Sequence, residues 1–139
     1  MSNTQQPVTP EDIDRLQILP ELITHHLEER GECPAVSDYD NKAKCWRTLS
    51  FRQVHEEALR WARAFKALGL RKGDRVAMLL PNGVDAVLFD QGALKAGLVP
   101  VPLHIIDTPA NCAYILQNSE AKALVVLNKA RWNAIQKAS

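Results

Sequence analysis

"LKAGLVPVPLH", Leu94 to His104, sets two prolines inside what otherwise reads as a buried β-strand, directly behind a helix-ending Lys-Ala-Gly. Proline has no N–H to give a sheet ladder, so it is confined to edges, strand starts and bulges. Pro100 and Pro102 are two residues apart. They share one face and leave the same backbone edge without donors. The spacing predicts a short, peripheral or irregular strand that cannot be zipped to a neighbour along that edge and whose end delivers a turn.

The flanking sequence supplies the rest of the architecture. In "RKGDRVAMLLPNG", Arg71 to Gly83, the unbroken apolar run Val76–Leu80 is the pattern of a strand covered on both faces. Residues 84–96 are apolar on most sides and predict a largely buried helix, with Gly92 in its middle allowing close approach of a neighbour at a propensity cost of about 1 kcal/mol. Downstream, Thr108 and Pro109 form an N-cap and first-turn pair. Cys112, Ile115, Leu116 and Ser119 then share one helix face. "KALVVL", 122–127, is another short buried strand, and "KARWNAIQKAS", 129–139, begins a last helix. From Arg75 onward the order strand, helix, strand, helix, strand, helix implies parallel strands joined by right-handed crossovers.

Upstream, residues 1–10 read as a disordered lead. Residues 19–32 predict one helix, with Pro20 near its start and Gly31 as its stop. Residues 34–50 predict an antiparallel hairpin around a polar turn at Asp38 to Lys44. Ser50 and Gln53 have capping-box spacing. Val54, Ala58, Trp61, Ala62 and Phe65 recur at helical spacing behind them, and Glu56 and Arg60 can pair at i,i+4. The expected fold class is α/β: a partial layered parallel sheet with βαβ crossovers, preceded by an N-terminal helix and a β-hairpin, and forming a fragment of a larger domain over residues 11–139.

Composition narrows the function classes. The chain has 139 residues, a formal charge of +1, and Lys and Arg spread along its length, which argues against a nucleic-acid partner. Cys33, Cys45 and Cys112 are odd in number and widely spaced, and read as free thiols in a reducing, cytoplasmic setting. Cys112 falls on an apolar stripe rather than beside an activating base. No run approaches the ~20 apolar residues of a membrane span.

Open parallel sheets bind ligands beyond the carboxyl ends of their strands. Two rims follow: Pro81, Asn82 and Gly83 after the first parallel strand, and His104 to Asp107 after the second. A dinucleotide site needs a glycine-rich turn at the first rim, but one glycine stands there, with Asp85 in the first turn of the next helix, where its charge would repel a phosphate. His25 and His26 are adjacent and cannot chelate one metal well, and they read as surface residues. His55 reads as solvated, Trp61 as core. His104 alone sits at a site edge. No carboxylate pair, catalytic triad or metal-spaced cluster stands out, so no residue is assigned as catalytic, cofactor-binding or metal-ligating.

Taken together, "TLSF" (48–51), "GLRKGDRVAML" (69–79), "LKAGLVPVPL" (94–103) and "YILQNSEAKALVV" (114–126) resemble the adenylate-forming enzymes in order and spacing. "VPVPL" with a downstream Thr-Pro and Tyr-Ile-Leu looks most like the long-chain fatty-acid CoA ligase branch. The resemblance covers about residues 20–130. It implies that the parent enzyme joins a carboxylate to the α-phosphate of Mg-ATP, releasing pyrophosphate, and that the CoA thiol then displaces AMP. It also implies a Ser/Thr/Gly-rich loop ending in Pro-Lys-Gly, later nucleotide and Mg²⁺ motifs and a lysine in a C-terminal domain, none of which occurs here. The family's catalytic residues therefore transfer to no position of this chain. What transfers is architecture: the start of the large N-terminal domain, with the Pro100–Pro102 strand leading toward the substrate side near His104.

The expectation is thus a fragment that is inactive alone. It needs no cofactor itself, its parent uses fatty acid, ATP, Mg²⁺ and CoA, and its natural partner is the remainder of that enzyme. Peripheral membrane association of the parent stays open. The alternatives are a free-standing non-catalytic α/β binding module, a fragment of an adenylation domain or fatty acyl-AMP ligase, and a small flavodoxin-type protein. Incomplete burial of residues 84–96 or 101–106 would favour a homo-oligomer.

Overall fold

The computed structural model describes residues 9–139. The expected lead lies outside the described residues as far as residue 8. Beyond it, the Thr9 side chain accepts from the Asp12 N–H and caps helix α1, Pro10–Asp14. The chain forms two compact units that divide between Glu56 and Glu57.

In the first unit the expected single helix is two short ones, α2 (Glu21–His25) and α3 (Leu27–Arg30). The break falls at His26, whose N–H turns back to the carbonyls of Ile23 and Thr24. Its ring packs on Phe51 with centroids 5.1 Å apart. Desolvation there, followed by the neighbouring His25, holds the His26 pKa below its usual value, and the residue is half-buried while His25 is exposed. The hairpin forms as expected from β1 (Pro34–Asp40) and β2 (Cys45–Ser50), antiparallel. Its turn is tighter than the expected Asp38–Lys44, because Asp38, Tyr39 and Asp40 pair with Arg47, Trp46 and Cys45. Asp38 takes two bonds from the Arg47 guanidinium, at 3.0 and 2.7 Å. The Asp40 carboxylate accepts the N–H groups of Ala43 and Lys42, which closes the turn and lowers its pKa.

Helix α4, Phe51–Ala67, opens on the expected capping box: Gln53 N–H donates to Ser50 Oγ at 3.2 Å and Ser50 N–H to Gln53 Oε1 at 2.9 Å. Two expectations on this helix change. Arg60 bonds Glu57 at 2.7 Å, three residues back, in place of Glu56. His55 is half-buried with Nδ1 enclosed, so it does not face open water.

The second unit carries the parallel sheet in the order β4-β3-β5, from β3 (Arg75–Leu79), β4 (Val99–Pro102) and β5 (Ala123–Val126). Helix α5 (Val84–Lys95) links β3 to β4, and α6 (Pro109–Ser119) returns from β4 across β3 to β5. Helix α7, Lys129–Ala138, follows. The two crossovers step in opposite directions, so right-handed connections put α5 and α6 on opposite faces. The two cores agree with this. Val76, Phe89, Ala93 and Leu98 gather with Phe65 of α4 on one side. Leu79 and Leu103 gather with Cys112, Ala113 and Ile135 of α6 and α7 on the other. Along β3 and its end, Val76, Met78 and Leu80 join the first core and Leu79 the second, the alternation of a strand sandwiched between layers.

Gly92 fixes how closely α5 meets α4. A Cβ there would lie 2.3 Å from Trp61 Cβ and 3.1 Å from the Ala58 carbonyl oxygen. The missing methyl lets the rings of Trp61, Phe65 and Phe89 close into a triad with centroids 5.5–5.6 Å apart, two of the three contacts edge-on. Each such pair contributes about 0.5–1.5 kcal/mol beyond its buried area. Of the two segments expected to expose apolar surface, α5 buries Val84, Leu88, Phe89 and Ala93 and leaves Val87 exposed. After β4 the expectation holds for Ile105 and for Ile106, which is 90% exposed.

The prolines of β4 now have a mechanical reading. Val99 N–H donates to Asp74 O and Leu103 N–H to Met78 O, both at 2.9 Å, so the odd-numbered donors face β3. The even-numbered positions face away from it, and both are proline. The outer edge of β4 therefore offers no N–H at either site, which blunts edge-to-edge pairing. The double variant Pro100→Thr/Pro102→Thr is expected to keep the fold but gain concentration-dependent self-association by sedimentation velocity. A variant that sediments like the parent at every concentration would show that these prolines do not guard the edge.

Candidate functional site

The carboxyl ends of β3, β4 and β5 and the amino ends of α5, α6 and α7 lie at one edge of the sheet, as parallel connections require. The register Met78↔Pro102 sets the first two loops side by side, with Pro81 three residues past one strand position and His104 two past the other. Pro81, Asn82 and His104 are exposed and Gly83 is half-buried. Strand pairing thus brings all four rim residues to the same edge.

The chemistry of this edge is sparse. The Gly83 carbonyl accepts from Val87 N–H at 3.2 Å and opens α5, which has no side-chain cap and carries Asp85 in its first turn. The His104 carbonyl accepts from Asp107 N–H at 3.0 Å and tightens the second loop. Thr108 caps α6 by accepting from Asn111 N–H at 3.2 Å, as its sequence position implied.

The organiser of the rim is a residue that sequence reading missed. Arg131 donates to the Ile105 carbonyl at 2.8 Å, tying the first turn of α7 to the loop after β4. The Asn128 side chain caps α7 by accepting from Arg131 N–H at 3.0 Å. The Asn128-to-Arg131 spacing of an N-cap was the available signal. Arg131 is thereby committed to a backbone carbonyl of its own unit.

Cys112 lies under the second loop, buried among apolar side chains. Burial first, then the Asp107 carboxylate, push its thiol pKa up, with Arg131 opposing. A thiol held protonated in this way is a packing group, not a nucleophile.

The residues present do not fit ATP or Mg²⁺. The Asp85 charge at the start of α5 opposes a docked phosphate, and among the described residues no three His, Cys, Asp or Glu converge to hold a metal. Three clefts among the described residues, of ≈ 330, 340 and 490 Å³, are lined by residues other than those of the rim. Among the described residues, no helix is long and apolar enough to cross a membrane.

Comparison with known proteins places the chain. A family model described as AMP-binding enzyme matches residues 23–139. A long-chain-fatty-acid–CoA ligase from Salmonella typhimurium is 32% identical over 120 residues, covering 83% of this chain and 20% of that relative. A benzoate CoA ligase from Burkholderia xenovorans superposes with a TM-score of 0.74 at 26% identity, over 88% of this chain and 24% of its own. The anthranilate CoA ligase AuaEII, solved with anthranoyl-AMP, gives 0.77 at 25% identity, over 94% and 24%. The chain thus spans about a fifth of the length of the curated relative it matches.

The burial pattern has a direct chemical readout. With a maleimide reagent near neutral pH, exposed Cys45 is expected to react quickly and Cys112 only on unfolding. Labelling of Cys112 in the folded chain at the rate of Cys45 would contradict the packing described here.

Proposed function

Since the chain belongs to the AMP-binding enzyme family, we propose that residues 11–139 form the opening portion of the large domain of an ATP-dependent acyl-CoA synthetase and act as scaffold, not as catalyst. The full enzyme would activate a fatty acid as its acyl-adenylate and pass the acyl group to CoA. The long-chain-fatty-acid–CoA ligase relative supports the choice of acid and acceptor.

The observation that carries this reading is a mismatch of extent. The match runs through nearly the whole chain yet covers only a fifth of the relative, and the edge where a ligand would dock holds no phosphate-binding glycine loop or converging carboxylates. In this reading the sheet sets the positions of its three carboxyl-end loops, and Pro81, Asn82, Gly83 and His104 line the substrate side of a site whose reactive groups come from elsewhere in the enzyme. His104, exposed at the end of the proline strand, is the side chain best placed to meet a substrate.

ATP–pyrophosphate exchange tests this on two proteins: the 139-residue chain and a version extended by the sequence that follows it in its gene. The account expects no fatty-acid-dependent exchange from the first and clear exchange from the second, with His104→Ala raising the fatty-acid KM of the extended form. Exchange by the 139-residue chain alone would overturn the scaffold reading.

A further inference from the structure

The two edges of the parallel sheet are finished differently. On β4 both outward positions are proline. On β5, Lys122 N–H donates to Arg75 O at 2.9 Å, so the even-numbered residues face β3. Ala123 and Val125 therefore turn their N–H and C=O groups outward, along an edge that no other strand of the described residues pairs. The usual guards of an edge are missing there. Ala123–Val126 contains no charge and no proline, and its register with β3 runs without a bulge. Just past it, Leu127 is 65% exposed. The flanks carry opposite charges. Glu120, before the strand, keeps its side chain 80% exposed while bonded to Arg75. Lys129, after it, is exposed in the first turn of α7, where the helix dipole disfavours a cation.

We propose that a second copy of this chain docks on that edge, with the two β5 strands antiparallel about a two-fold axis. Antiparallel self-pairing sets the residues before one strand beside the residues after the other. Glu120 of each copy then lies toward Lys129 of the other, and this complementarity favours the chain itself as occupant. Along the strands, the outward groups of Ala123 and Val125 pair with those of the second copy, and no like charges meet. The pairing also closes. It uses one edge from each copy, and the edges left at either end of the joined sheet are the proline-sealed β4 strands, so assembly stops at two. The strand is short, so the dimer is a weak, concentration-dependent one.

Sedimentation velocity and amide exchange on the 139-residue chain test this together. The parent should pass from monomer to dimer, and no further, as concentration rises. The Val125 amide should exchange quickly in dilute solution and slowly in the dimer, while the inward Leu124 amide stays slow in both. Val125→Pro removes an outward donor, at the kind of position that β4 already gives to proline, and should leave a monomer. Lys129→Glu suits the start of α7 yet sets like charges across the axis. It should weaken the dimer about tenfold, because two exposed pairs turn from attraction to repulsion. Circular dichroism checks the fold of each variant, and if Val125→Pro fails to fold, Lys129→Glu and the Val125 amide decide the matter. A parent that stays monomeric, that grows past the dimer, or whose dimer leaves Val125 exchange unchanged would overturn the proposal. So would a dimer that persists in folded Val125→Pro or keeps its full strength in Lys129→Glu. A Val125 amide already slow in the dilute monomer would overturn it too, since the chain's own residues would then hold the edge.

Discussion

The second unit is organised by one requirement, that β3 be covered on both faces. Val76 and Ala77 are wholly buried and Leu79 nearly so. A strand in that position needs a helical layer on each side and a paired strand along each edge. The opposed crossovers through α5 and α6 meet the first demand, and β4 and β5 the second. Other features serve the same end. Gly92 lets α4 and α5 close over one face. Arg75, at the start of β3, donates to the Ser119 carbonyl at 2.6 Å and to Glu120 at 2.7 Å. That clamp holds the end of α6, where Glu120 takes a left-handed conformation at φ 52°. Lys122, just before β5, pairs with Asp74, just before β3, at 2.7 Å.

Much of this was legible in the sequence because the signals were local and strong. The apolar run Val76–Leu80, the Ser50–Gln53 and Thr108–Pro109 caps, and the strand–helix alternation all describe interactions within a few residues of their own position. The prolines were the most informative, because a missing donor constrains which side of a strand can pair. What sequence could not resolve was set by contacts distant along the chain. The break at His26 comes with packing on Phe51, 25 residues away. The tight hairpin turn comes with Asp38 finding Arg47 across the strands. Helix α5 is buried as its composition and Gly92 implied, but its partner, the Trp61 side of α4, lies about 30 residues away and was not legible. The placement of Pro81, Asn82, Gly83 and His104 at one edge of the sheet followed from topology. The part played by Arg131 did not, since its partner is a backbone carbonyl 26 residues earlier.

The polar contacts of the rim join side chain to backbone or backbone to backbone within one unit, burial raises the pKa of the thiol beneath it, and Asp85 at the start of α5 opposes a phosphate. These properties suit the scaffold role proposed above, in which reactive groups come from another part of a larger enzyme.

Native-state hydrogen exchange tests the central role of β3 most directly. If the doubly covered strand holds its unit together, the ladder amides in and flanking Val76–Leu79 should be the slowest in that unit and should open only with its global unfolding, at the free energy and denaturant dependence measured for the whole transition. Exchange of those amides through local opening, at rates like those of the exposed β1–β2 hairpin, would contradict the account.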